Sequence, residues 1–401
     1  MKQGYLSQYF KGVAFKTLSA VEANLAVSHQ HEFNGVGELK QLLGESIPKK
    51  IFNTKFIYLS DDDAEPIEAD ATLTWYDARE NHPKRSENRL YFPTTLVSQN
   101  ASEGDLLLIA KKPDETLLAI IAEADSTIAN QLLWLMGEGN VSHPSFWVKG
   151  EIENDQVKLD FISRLILEQV GIEAGETDES LLDQMLARFG NQFPNTLTLS
   201  SFVQETLALN PFEDPDSVLV AWYEREFILF RTLEEHFLSS QISDGFQSVQ
   251  DFLQLSLSVQ NRRKSRAGSA LQHHLAPIFK AHNLVFDTQG MTENKQKPDF
   301  LFPSADAYHD ESFATEKLIL LGAKTSCKDR WRQVLAEASR IKNKHLCTLE
   351  AGISENQTNQ MLAHQLQLVI PQKYHDTYTL EQQKTLLNLS GFIAFVKTKQ
   401  K

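Results

Sequence analysis

The period at which apolar residues recur changes once along this chain of 401 residues, so the two halves belong to different architectures. Up to about residue 150, apolar residues come in short runs: Phe56 to Leu59, Ala71 to Tyr76, Asp105 to Ala110 and Leu117 to Ala122. Turn-forming residues separate these runs, which predicts strands of a small barrel or curved sheet. Beyond about residue 180, Val218, Trp222, Phe227, Phe230, Leu233 and Phe237 recur at the spacing of a long helix with one buried face. A second helical run passes through Leu271, Leu275, Ile278 and Phe279, and Pro277 inside it is expected to kink or end the helix. Strand-like runs follow at Leu284–Phe286, Phe300–Phe302, Leu318–Thr325, Leu346–Leu349 and Leu366–Ile370, with helical segments near 329–343 and 355–365. That alternation predicts an α/β layer with helices on both faces.

Between the halves, residues 151–190 hold ten Asp or Glu against Lys158, Arg164 and Arg188. The acidic stretch ends in Gly171 to Asp178, the composition of a linker. The expected organisation is an N-terminal domain over 1–165, an acidic linker over 166–185 and a C-terminal domain over 186–401.

A net charge of -14 argues against a uniformly basic nucleic-acid binder, yet the acidic stretch carries half of that excess. Basic clusters survive elsewhere. Arg262, Arg263, Lys264 and Arg266 lie within five positions, and residues 321–345 hold seven Lys or Arg against Asp329 and Glu337. Solvated surface charge explains either cluster taken alone equally well. No apolar run is long enough to span a bilayer, and the start, Met1 to Tyr5, lacks the apolar stretch of a secretory signal, so a cytoplasmic protein is expected. Cys327 and Cys347 are the only cysteines, too few for a disulfide framework or a four-cysteine zinc site.

The informative chemistry lies in Lys297-Pro298-Asp299-Phe300 and in Lys324, which follows 25 residues after Asp299 at the end of the run Leu318 to Ala323. A carboxylate opening one strand and a lysine closing the next can converge at one sheet edge. Together they suit phosphodiester hydrolysis: the carboxylate holds a hard cation such as Mg2+, and the ammonium polarises the phosphate. Such sites usually carry a second carboxylate two residues before the lysine, where this chain has Gly322. Glu337 can replace it if a helix starts near Asp329, since Arg330, Gln333 or Val334, and Glu337 then share one face. The alternative is a turn Asp, a surface Lys and a solvated Glu.

The stretches Ser258 to Gly268, Lys297 to Tyr308 and Lys324 to Gln333 closely resemble the EcoRII family of restriction endonucleases, over about residues 190–375. A weaker resemblance extends through His31 to Gly35 and Trp75 to Arg89. The resemblance implies a restriction-endonuclease α/β/α core of the PD-(D/E)XK type and a mainly β N-terminal DNA-binding pseudobarrel that binds an effector site and blocks the cleft. It places metal and catalytic roles on Asp299, Lys324 and a helix-borne Glu337, with Lys328 near the scissile phosphate. The family tends to place a further Glu where this chain has Gln272, which puts a second metal in doubt. Lys328, Asp329 and Arg330 are then expected to read a C·G-rich site, Arg and Lys donating to guanine and the carboxylate accepting from cytosine. Asp329 serves equally as a helix N-cap.

For base flipping, Trp222, Tyr223 and Arg225 are candidates by position, although Trp222 is as readily a core residue. Arg79, Lys84, Arg85 and Arg89 are expected to touch DNA from the N-terminal half, where an exposed polar hairpin would look similar. The basic cluster Arg262, Arg263, Lys264 and Arg266 is expected to contribute in the C-terminal half. A homodimer is expected because one active site per chain must cut both strands of a near-palindromic site of the CCWGG type, leaving 5′-phosphates. A cognate DNA methyltransferase is implied as system partner. The rival is a DNA-binding regulator or decoy that has lost catalysis; a monomeric nicking enzyme is a third possibility.

Overall fold

The computed structural model describes residues 5–23, 31–61, 66–138, 144–149, 159, 161–172, 178–325, 327 and 330–401. Lys328 and Asp329 lie outside the described residues. The chain divides into two compact units, Met1–Ala174 and Gly175–Lys401. The division falls inside the segment expected as a linker, but both ends of that segment are helical. Helix α2 (Phe161–Gln169), preceded in this unit by α1 (Thr127–Leu135), occupies its start, and a short 3-10 turn leading into α3 (Leu182–Phe189) occupies its end.

The first unit is built on one eight-stranded sheet. In chain order its strands are β1 (Gly12–Thr17), β2 (Glu32–Phe33), β3 (Lys50–Leu59), β4 (Ile67–Asp77), β5 (Asn88–Tyr91), β6 (Leu106–Lys111), β7 (Leu117–Ala122) and β8 (Trp147–Lys149). Their spatial order is β2-β5-β4-β3-β7-β6-β1-β8, antiparallel throughout except where β3 meets β7. Alternate residues form the core, as the two-residue period of a strand requires: Phe56, Leu73, Trp75, Leu107, Ile109, Ala119 and Ile121. The indole N–H of Trp75 donates to the Gly44 carbonyl at 3.0 Å, which satisfies its one polar atom in the interior. At the two ends of the sheet, the Phe146 N–H donates to the Gly35 carbonyl at 3.1 Å, so the sheet curls until its edges meet. Gly35 has φ +68°, and a Cβ there would lie 2.6 Å from Ser145 Cα, so the approach requires glycine.

In the second unit, α3, α4 (Thr196–Leu207), α5 (Pro215–Ser243) and α6 (Val249–Ala281) precede a mixed five-stranded sheet. Its strands are β9 (Asp287–Thr288), β10 (Phe300–Phe302), β11 (Ile319–Ala323), β12 (Lys344–Cys347) and β13 (Leu366–Val369), in the order β13-β12-β11-β10-β9. The pairs β9/β10 and β10/β11 are antiparallel, and β11/β12 and β12/β13 parallel. Phe300, Phe302 and His345 share one face, against Phe279 of α6 and Phe392 of α9 (Leu389–Lys399). Gly322 and Leu346 share the other, against Val334 of α7 (Trp331–Ala336). This is the expected three-layered α/β/α core, with α8 (Glu355–Ala363) leading into β13.

Three local expectations are corrected. Helix α6 runs through Pro277 because the carbonyl that the missing N–H would have engaged, that of His273, accepts from the Gln204 amide at 3.2 Å. Leu284–Phe286 is not a strand; Phe286 packs its ring on Phe279 and Phe300 from a loop, so its apolarity serves packing rather than pairing. The helix expected over 329–343 ends at Ala336, and Glu337 is its extended C-cap residue, with ψ 142°. Among the described residues no helix is long and apolar enough to cross a membrane.

Candidate active site

Asp299 immediately precedes β10 and Lys324 immediately follows β11. Because these strands are antiparallel, with Phe300 opposite Leu321, the start of one lies beside the end of the other. The Lys324 ammonium donates to Asp299 Oδ2 at 2.8 Å, and the Ala323 N–H donates to the same oxygen at 2.8 Å. Gln289 Nε2 donates to Asp299 Oδ1 at 3.2 Å. Gln272 Nε2 lies 3.4 Å from the Asp299 carbonyl oxygen, and its own carbonyl accepts from Gln289. Position 272 therefore adds an amide that braces Asp299 where the resemblance implied an acid.

Glu337 reaches this edge from beyond the helix rather than from its face. Val334, one turn earlier, presses on Gly322, where a Cβ would stand 2.8 Å from Val334 Cγ2. The position that would carry a strand carboxylate is thus filled by the helix. Beyond Glu337 the backbone turns sharply: Ala338 has φ +49°, a left-handed conformation that a non-glycine residue adopts only under constraint. The constraint is visible in the next residues. Glu293 accepts from the Tyr308 hydroxyl and from the Ser339 N–H, while the Arg340 N–H donates to the Tyr308 hydroxyl at 3.2 Å. Lys344 of β12 donates at 2.7 Å to the Leu335 carbonyl, one of the acceptors left free at the end of α7.

Burial pushes the Glu337 carboxyl above its ordinary range, and Asp299 adds to the shift, whereas Lys324 and Lys344 oppose it. Burial likewise lowers Lys344, which Glu337 and Glu293 partly offset. Glu337 Oε2 is buried without a hydrogen-bond partner among the described residues, next to a second carboxylate. Two hard oxygen donors that repel each other, one of them orphaned, fit a magnesium ion, which binds through one or two carboxylates and completes its shell with water and phosphate. Among the described residues no group of three His, Cys, Asp or Glu side chains comes together.

Of the other expected residues, Arg330 is exposed at the start of α7. Arg266 does not face solvent: it is buried, with its guanidinium 3.6 Å from Glu226 and over the rings of Tyr223, Phe227 and Phe230. Arg262 lies over Phe193 and Arg263 is ion-paired with Glu234, leaving Lys264 exposed. Trp222 and Tyr223 are core residues packed on His274, so neither offers a platform for a flipped base. The Tyr223 hydroxyl instead engages Arg266 and Thr325, the neighbour of Lys324. Arg225 is held by Asp178 at 2.6 Å. In the first unit, Arg79 is tied to Glu87, and Arg89 to Glu87 and Glu32, while Lys84 and Arg85 are exposed in the loop between β4 and β5.

Gln289 and Lys344 were not singled out in the sequence. Lys344 does fall in the basic run 321–345, whereas nothing in the pattern around Gln289 marks it.

Residues 230–393, which carry all of this edge, match the family described as EcoRII C terminal. The C-terminal unit is EcoRII-like. The chain is 46% identical over 182 residues to the type II restriction enzyme EcoRII of Escherichia coli, a match covering 45% of this chain and 45% of that enzyme. It therefore spans less than half of that relative's length. Among solved structures, metal-depleted Ecl18kI in complex with uncleaved DNA aligns with a TM-score of 0.43 and 19% identity, over 55% of this chain and 82% of that one. The PspGI–substrate DNA complex aligns with a TM-score of 0.44 and 15% identity, over 52% and 93%.

Proposed function

We propose that the protein is a magnesium-dependent type II restriction endonuclease whose active site is the Asp299, Lys324 and Glu337 edge of the EcoRII-like unit. The observation that carries this is the convergence, at one sheet edge, of an ion-paired Asp and Lys with a buried carboxylate, Glu337, whose Oε2 has no hydrogen-bond partner among the described residues. Structural ion pairs are usually fully satisfied, whereas an orphaned acid beside another acid is a site waiting for a cation.

Magnesium bound there would offset the two carboxylates and withdraw charge from the scissile phosphate. The chain's own groups do the rest. Asp299, fixed by the Ala323 N–H and by Gln289, cannot swing away when Lys324 turns to a phosphate oxygen. Lys324, still partly exposed, brings a positive charge to the phosphoryl oxygens as charge builds on them. Water adds to phosphorus, the bond to the 3′-oxygen breaks, and that oxygen takes up a proton, leaving a 5′-phosphate.

The substrate is double-stranded DNA carrying a short near-palindromic site of the CCWGG type, with Lys328, Asp329 and Arg330 reading bases. The chain acts as a homodimer, and the mainly β unit binds a second, effector copy of the site through Lys84 and Arg85 and restrains the catalytic unit. A cognate methyltransferase protects host DNA. Plasmid cleavage in magnesium tests the assignment: Asp299→Ala and Lys324→Ala should lose at least about 1000-fold in rate while specific DNA binding persists. Full activity in either variant overturns the site. Specific binding by the wild-type chain without any cutting makes it a binding regulator instead.

A further inference from the structure

Between Lys324 and α7 the chain turns on one peptide group, that of Cys327. Its N–H donates to the Glu350 carboxylate, and its carbonyl accepts from the N–H groups of Arg330 at 2.9 Å and Trp331 at 3.3 Å, which starts α7. The carboxylate comes from the loop after β12, where the Glu350 backbone is held on both sides. The Glu350 N–H donates to Thr348 Oγ1 at 3.1 Å, and the Tyr378 hydroxyl donates to the Glu350 carbonyl at 2.8 Å. Thr348 is tied in turn to β13, its N–H donating to the Val369 carbonyl at 3.2 Å. Cys327, Thr348 and Leu349 are all 0% exposed, so water cannot take the place of the carboxylate unless the chain moves.

We propose that Glu350 positions the base-reading segment: through Cys327 it sets where Arg330, with Lys328 and Asp329 before it in the chain, meets DNA, and so how sharply the protein discriminates between sequences. This rests on the proposed reading role of that segment. The catalytic edge has anchors of its own. The Lys324 N–H is held by the Cys347 carbonyl at 3.0 Å, and its ammonium by Asp299 at 2.8 Å. Helix α7 is held from Val334 onwards, by the contact with Gly322 and by Lys344, which donates to the Leu335 carbonyl at 2.7 Å. Arg330 is exposed and precedes those anchors, and its backbone N–H ends on Cys327. Removing the Glu350 carboxylate leaves the Cys327 N–H unpaired in the interior, which is costly. The peptide regains a partner by turning, and the turn carries Arg330 with it while Lys324 and Glu337 stay in place. Hydrogen bonds to base edges are lost on such a displacement because they depend on distance and angle. Attraction to phosphates is less directional and survives, so binding persists with its selectivity reduced.

The test compares the full-length wild type with Glu350→Ala and Glu350→Gln. Short DNA duplexes randomised at their central base pairs are bound with calcium in place of magnesium, and the retained fraction is sequenced. Single-turnover cleavage of the preferred duplex in magnesium is followed in parallel. The wild type should enrich one sequence over its single-pair variants by about 10–100-fold. Glu350→Ala should lower that enrichment at least about 10-fold, while its rate on the preferred duplex stays close to that of the wild type. Glu350→Gln, whose amide oxygen accepts from the same N–H, should keep the enrichment. Unchanged enrichment in Glu350→Ala, a loss of rate as large as the loss of enrichment, or a Glu350→Gln no better than Glu350→Ala overturns the inference. If a thermal melt shows Glu350→Ala unfolded, Tyr378→Phe, which frees the Glu350 carbonyl and keeps the ring, takes its place; enrichment should fall in the same direction, and no fall overturns the inference. A wild type that selects one sequence but never cuts removes the nuclease assignment and leaves the enrichment of the variants to decide. A wild type that cuts but selects no sequence overturns the inference and leaves the active site standing.

Discussion

Val334 lies so close over Gly322 that a Cβ on the strand would stand 2.8 Å from Val334 Cγ2. This contact leaves no room on the strand for a carboxylate at position 322, so the second carboxylate of the proposed site falls to Glu337. A side chain at position 322 would lift α7 from the sheet, and the helix that replaces it delivers Glu337 one turn later. Gly322→Ala is accordingly expected to destabilise the C-terminal unit by about 1–3 kcal/mol through overpacking. Gly322→Ala/Val334→Ala should recover much of that loss. Thermal melts of the two variants check it; equal destabilisation in both would mean that the contact is not the constraint.

Glu337 should cost the fold stability whenever it is ionised. Its pKa is raised above the ordinary 4.5, by burial first and by Asp299 second. The folded chain therefore holds the proton more tightly than the unfolded one, and stability falls as pH rises through the interval above 4.5. Without magnesium, Glu337→Gln should melt higher than wild type at pH 7 to 8, with the difference closing as pH drops below about 4.5. Added magnesium should raise the melting temperature of the wild type and leave that of the variant nearly unchanged. A variant that melts lower at neutral pH contradicts the assignment of Glu337 as an uncompensated acid.

Asp299 and Lys324 were legible in the sequence because both sit at the ends of short, strongly apolar runs, so strand pairing alone brings them together. Glu337 was legible only as a need, created by Gly322, and its place beyond the helix was not. The helix ends early because Ala338 adopts a left-handed turn, held by Glu293, Tyr308 and Arg340, contacts of up to 46 residues' separation that no local pattern encodes. The same limit applies to Arg266. It stands in a basic cluster of four within five positions, and only the packing of α5 against α6 turns it inward onto Glu226. Pro277 misled for the converse reason, since the amide that compensates it comes from another helix.

Lys344 is expected to act through Glu337, by anchoring the end of α7 and placing a positive charge beside the carboxylate. Lys344→Met should slow cleavage by about 10–100-fold, with DNA affinity unchanged and partial rescue by Lys344→Arg. In a double-mutant cycle on thermal stability, the effect of Lys344→Met should shrink when Glu337 is already Gln. Strict additivity would show that the two do not communicate.

His345 gives the C-terminal unit an acid-labile core. It projects from β12 onto Phe392 and Phe395, and burial lowers its pKa to about 4. A depressed pKa favours the neutral ring in the fold, so its contribution is fully present above the unfolded value of 6.5 and is lost as pH falls towards 4. The loss should amount to about 3 kcal/mol at most over that interval. Urea titrations of the wild type between pH 7 and pH 4 should show this decline, and His345→Leu should flatten it. The aliphatic side chain keeps the contacts with the two phenyl rings but has no proton to bind in the unfolded chain. A slope unchanged by the substitution would assign the acid sensitivity to other groups.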